Sequence, residues 1–157
     1  MAVSDRPGQL KLYLGTLGNP GCSSTVSDRG QGVEEEVDAQ PLHAILTVDE
    51  IRRIRIIKID VEGAEVSVLD GMRPLIDTLA EDVDILIELS PAWWPDKSRT
   101  PDEVLQPFYD AGFNAYTLEN NYWPWRYLWP NCVQPPRPVT HPLPDDVKRI
   151  DLLLTRS

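Results

Sequence analysis

The chain has 157 residues, 41% of them hydrophobic, and carries 15 Lys and Arg against 25 Asp and Glu, a net charge of −10. That balance repels phosphate backbones and anionic lipid, which argues against nucleic acid and membrane surfaces as partners. No apolar run approaches the ~20 residues that span a bilayer, so the composition describes one globular domain over residues 1–157 with a single core. Cys22 and Cys132 lie far apart without CxxC spacing, so neither a disulfide framework nor a zinc site is expected. The opening MAVSDRPGQL lacks both the basic start and the apolar run of a secretory signal, and a cytoplasmic location is the expectation.

In chain order, Leu10, Leu12 and Leu14 alternate with Lys11 and Tyr13, the period-two pattern of a half-exposed strand. The Gly-, Ser- and Asn-rich stretch that follows reads as loop. VEEEVDAQPLHAIL reads as an exposed strand and a short helical turn, with Glu34, Glu35 and Glu36 on a solvated face. Thr47 and Glu50 have the spacing of a capping box and predict a short helix. RIRIIKID then predicts a strand covered on both faces. A helix follows in GAEVSVLDGM, where Val66, Leu69 and Met72 recur at helical spacing. Pro74 ends or kinks it, leaving a second short helix in RPLIDTLAED. VDILIELS is another apolar strand, and the intervening helix makes the two strands a parallel, right-handed βαβ unit. Thr100, Pro101 and Glu103 open a further helix that Gly112 stops and Pro107 is expected to bend. NAYTLE and RIDLLLTRS are the last strands, separated by a Pro- and Trp-rich loop; QPPRPVTHPLP within it reads as a stiff surface connection or a polyproline ligand.

The charged residues inside IIKIDVEGAE carry the chemistry. Ligands of open α/β sheets bind at the carboxyl ends of strands. Asp60 and Glu62 close one strand and Glu88 the next, and neighbouring strand ends lie about 5 Å apart, so these carboxylates are expected on one rim. Gly63 lets backbone approach closely at the turn. Glu65 suits the first turn of the following helix through its dipole. Lys58, two residues before Asp60, shares its face and is expected to pair with one of the acids.

IIKIDVEGAEVSVLDGM resembles the signature segment of the FkbM-type methyltransferases, a group of S-adenosylmethionine-dependent class I enzymes. DILIELS and FYDAGFNAYTLE are similar to that family's next strand and its penultimate helix-to-strand passage, and AVSDRPGQLKLYLG to the segment after its third strand. The resemblance implies an α/β fold, an incomplete Rossmann-like class I sheet of parallel strands with an antiparallel C-terminal strand and helices on both faces. It also implies S-adenosylmethionine as cofactor and methyl transfer to an oxygen of a sugar, a polyketide or a similar small acceptor. In that frame Asp60, Glu62 and Glu88 are the candidate catalytic acids, and Ser4, Asp5 and Asp60 line the cofactor.

The family's first two strands, the first ending in a glycine-rich cofactor turn, have no counterpart in the sequence, and LGTLGNPGCSS opens no helix. An N-terminally truncated domain is therefore expected, with an unpaired edge beside Ile56 that would take up a partner chain or a second copy. The alternative to an enzyme is a non-catalytic subunit joined through that edge. Trp93, Trp94, Trp123, Trp125, Trp129, Tyr122 and Tyr127 fall beyond strand ends and suit either packing or an acceptor surface. His43 and His141 have no metal-ligand spacing.

Overall fold

A computed structural model of the chain describes residues 1–13, 33–119, 134–144 and 146–156. Among these, the strands form two sheets. In the smaller, β1 (Ala2–Val3) runs parallel to β3 (Val33–Gln40), and β2 (Gly8–Tyr13) lies antiparallel on its other side. Two short helices follow, α1 (Leu42–Ile45) and α2 (Val48–Arg53). The second starts with a complete capping box: the Glu50 amide donates to Thr47 Oγ1, and the Thr47 amide donates to Glu50 Oε2 at 2.8 Å.

The larger sheet contains β4 (Ile56–Ile59), β5 (Asp84–Leu89), β6 (Asn114–Thr117), β7 (Arg137–Pro138) and β8 (Ile150–Thr155), in the order β4-β5-β8-β6-β7. β4 and β5 are parallel, and β8 is antiparallel to both β5 and β6. Helix α3 (Glu65–Met72) makes the first crossover and continues into a 3-10 helix at Arg73–Thr78, where Pro74 removes an amide donor. Helix α4 (Pro101–Asp110) makes the second, opened by a capping box between Thr100 and Glu103 and closed at Gly112, whose φ is +86°. Pro107 lies inside it.

Helices were expected on both faces, and the described ones share one. Right-handed crossovers that advance in the same direction along a sheet put their helices on the same side. Both β4-α3-β5 and β5-α4-β6 advance in that direction, and α3 packs on α4. Val68, Leu69 and Met72 of α3 and Val104, Leu105 and Phe108 of α4 therefore share one core with Ile59, Ile85, Ile87, Ala115, Leu152 and Leu154. The strand at β4 is correspondingly not covered on both sides, as its apolar sequence suggested. Among the described residues it is an edge strand, Ile56 is 66% exposed, and Leu86, Tyr116 and Leu153 on the same face are only half-buried. None of the described helices is long and apolar enough to cross a membrane.

Candidate functional site

The site is built at the carboxyl ends of β4 and β5. Lys58 is in register with Leu86 and Ile59 with Ile87, so the next aligned pair is Asp60 and Glu88, on the same side of the sheet. Lys58 Nζ donates to Asp60 Oδ2 at 2.9 Å, the pairing that their two-residue spacing predicts. The Glu88 side chain is only 12% exposed and accepts from Arg149 at 2.6 Å. Burial raises the Glu88 pKa; Arg149 opposes that, while the charges of Asp60, Asp151 and Glu62 push the same way as burial. Asp60, Glu62 and Glu88 are thus electrostatic neighbours.

After Asp60 the chain turns sharply. Glu62 has φ of +44° and Gly63 of +104°, a left-handed pair that glycine accepts freely and a glutamate does not. Helix α3 follows without a side-chain cap. Glu65 does more than suit the helix dipole: it is fully buried, accepting from the Gly63 amide at 2.7 Å and from the Trp94 indole at 2.8 Å. That contact escaped the sequence reading. The burial of Glu65, though not its partner, had a signal, because Glu65 shares a helical stripe with Leu69 and Met72, four and seven residues on.

Two adjoining clefts meet at this turn. The larger, about 450 Å³, runs beside β4 and has an apolar wall that includes Val3, Leu42, Ile57 and Val68, with Ser4, Lys58, Asp60 and Ser67 as its polar positions. The smaller, about 270 Å³, lies between Gly63, Ala64 and Ser67 on one side and Trp94, Pro95 and Asp96 on the other. Leu10, Ala64 and Ser67 belong to both. Ser4 and Asp60 therefore meet in one cleft. Asp5 stands beside it, accepting from Ser4 Oγ at 3.1 Å, and Glu62 and Glu88 lie outside the cleft lining.

Of the aromatic candidates, Trp94 is 1% exposed and packs in the core, with an edge on the smaller cleft. Trp123, Trp125, Trp129, Tyr122 and Tyr127, like Cys22 and Cys132, lie outside the described residues. His141 pairs through Nδ1 with Asp102 at 2.9 Å, fastening the segment before β8 to α4 together with a Leu143 amide bond to the same carboxylate at 2.6 Å. His43 is exposed. No grouping of three or more His, Cys, Asp or Glu able to hold a metal occurs among the described residues.

No curated protein and no solved structure matches the chain. Residues 3–115 match the family described as the methyltransferase FkbM domain, a span that runs from the end of β1 to the middle of β6 and contains Ser4, Asp60, Glu62 and Glu88. The chain belongs to the FkbM methyltransferase domain family.

Proposed function

We propose that this methyltransferase domain uses S-adenosylmethionine and transfers its methyl group to an oxygen of a small acceptor such as a sugar or a polyketide. The observation that carries the reading is the convergence of Asp60 and Ser4 on a 450 Å³ cleft at the carboxyl end of β4. That volume is within the range of small-molecule sites, which combine apolar walls with few polar groups. The sheet supports it too: parallel β4 and β5 are joined by an antiparallel C-terminal strand, β8, the arrangement that the class I resemblance implies.

The residues present suit part of the cofactor. The apolar wall at Val3, Leu42 and Val68 matches a flat purine, Ser4 provides a polar edge, and Asp60 provides negative charge toward a cationic sulfonium. Bound there, the cofactor would supply an activated methyl for in-line displacement. The protein's task is then alignment and, for a weakly acidic hydroxyl, removal of its proton. Asp60 is our candidate for that proton, with Lys58 fixing its carboxylate. Glu62 and Glu88 hold the surrounding field negative, and Arg149 limits the cost of burying Glu88. Calorimetric titration with S-adenosylmethionine is the test: saturable micromolar binding supports the reading, and no heat overturns it for this chain alone.

A second reading is favoured by a separate observation. Among the described residues β4 is the outer strand of its sheet, with Ile56 exposed. An apolar parallel edge of this kind accepts an added strand. In this reading the chain is a non-catalytic subunit that works only when a partner's strand lies against β4. Sedimentation at increasing concentration tests it: a monomer throughout, combined with cofactor binding, would remove it.

A further inference from the structure

Glu65 and Trp94 are both fully buried, lie 29 residues apart, and are joined by a 2.8 Å hydrogen bond. Glu65 begins α3, directly after the turn that leaves β4; Trp94 ends the short 3-10 segment Pro91–Trp93 that leaves β5. The carboxylate also accepts from Gly63 within the left-handed turn. One side chain therefore ties the exit of β4 to itself and to the exit of β5. A carboxylate without water requires donors of this kind, and losing either leaves an uncompensated polar group.

We propose that the Glu65–Trp94 pair is a positioning clamp that holds the carboxyl ends of β4 and β5 together, fixing the spacing of Asp60 and Glu88 and the width of the cleft between Gly63 and Trp94. The inference rests on reading those two strand ends as the working rim. Three features support it. Trp94 lines the 270 Å³ cleft, and so do Gly63, Ala64 and Val66, the residues on either side of Glu65 in the chain. That cleft is continuous with the one containing Asp60 through Leu10, Ala64 and Ser67. Finally, only the four residues Val61, Glu62, Gly63 and Ala64 separate Asp60 from Glu65, and only the five from Leu89 to Trp93 separate Glu88 from Trp94, so the clamp lies a short length of chain from both acids.

Glu88 serves as the reporter, because its carboxyl feels both its burial and the charges of Asp60 and Glu62. If the clamp sets the rim, releasing it exposes Glu88 and separates it from those acids, and both changes lower its pKa. The experiment follows the Glu88 carboxyl carbon by NMR during acid titration in wild type, Trp94→Phe and Glu65→Gln. Trp94→Phe keeps a ring and deletes the donor; Glu65→Gln keeps the shape and an acceptor but opposes an amide to one of the donors. The expected result is a Glu88 midpoint displaced toward the ordinary carboxylate range in both variants. A purely structural role would lower the melting temperature and leave that midpoint in place, which overturns the proposal. In wild type the Trp94 indole hydrogen should exchange roughly a thousand-fold slower than an open indole; exchange near the open rate overturns the proposal even if neither variant folds. None of these readouts uses methyl transfer, so failure of the cofactor reading remains a separate result.

Discussion

Gly71 of α3 lies directly against the backbone of Ser4: a Cβ built on Gly71 would overlap the Ser4 carbonyl oxygen and touch the Asp5 Cα at 3.0 Å. The contact brings the first described segment of the chain onto the helix that follows the motif turn. It thereby puts Ser4 into the cleft with Asp60.

Gly71→Ala is therefore expected to destabilise the fold although alanine is the better helix former. Alanine inside a helix gains about 1 kcal/mol over glycine. Against it stands overpacking of about 1–3 kcal/mol, toward the upper end here because the obstacle is backbone and cannot rotate away. The net expectation is a loss of roughly 1–2 kcal/mol and a lower urea midpoint. A midpoint equal to or above that of wild type would show that the segment at Ser4 moves aside freely.

The Glu88–Arg149 pair makes a pH-dependent difference. Burial raises the Glu88 pKa in the folded chain, so the folded state binds more protons than the unfolded one between the ordinary value of 4.5 and the raised one. Stability therefore falls as pH rises through that window. Arg149 opposes the effect. Arg149→Met should raise the Glu88 pKa further and cost about 1 kcal/mol near neutral pH, discounted from the value of a charged hydrogen bond because Arg149 is 38% exposed. The deficit should shrink as pH falls and vanish well below 4.5, where Glu88 is protonated in both states. Urea unfolding at the two pH values decides it; an equal deficit at both would assign the loss to packing.

The parts of the fold that were legible are those set by short-range rules. Thr47 with Glu50 and Thr100 with Glu103 announce their helix starts because each satisfies backbone donors three residues away. The parallel pairing of β4 and β5 follows from the length and handedness of the crossover. The same rule, applied twice in one direction, would have foretold a single helical face, and the expectation of two came from the family resemblance instead. β7 was missed because Arg137–Pro138 is two residues long and its proline cannot donate to a ladder, so it carries no period and fits only an edge. At the site, Asp60 and Lys58 could be paired from spacing alone. The partner of Glu65 could not, since nothing local to Glu65 identifies Trp94 among five tryptophans.

Ile56 tests the open edge. It is 66% exposed on the outermost strand, and a lysine there would leave the buried core untouched. Natural sheets block unwanted edge pairing with charges of this kind. If a second strand docks on β4, Ile56→Lys should reduce concentration-dependent association several-fold by analytical ultracentrifugation, with thermal stability of the dilute protein within about 0.5 kcal/mol of wild type. Association that is unchanged would put the contact elsewhere on the surface.

Asp60→Asn separates two roles that the cleft geometry allows for this carboxylate. Asparagine preserves size and hydrogen bonding, including an acceptor for Lys58, but cannot take a proton. If Asp60 is the general base, turnover with the acceptor should fall about 100- to 10,000-fold while S-adenosylmethionine affinity is kept. The loss should shrink with acceptors whose hydroxyl is more acidic, because they need less help in giving up a proton. If Asp60 acts instead by attracting the sulfonium, removing its charge weakens cofactor binding, and the loss is independent of acceptor acidity. The two outcomes differ in which equilibrium moves, so the cofactor dissociation constant and a series of acceptors of graded acidity assign the role. The same series on Glu88→Gln supplies the contrast. Glu88 lies outside the cleft lining and pairs with Arg149, so its loss should alter the pH dependence of turnover without removing its dependence on acceptor acidity.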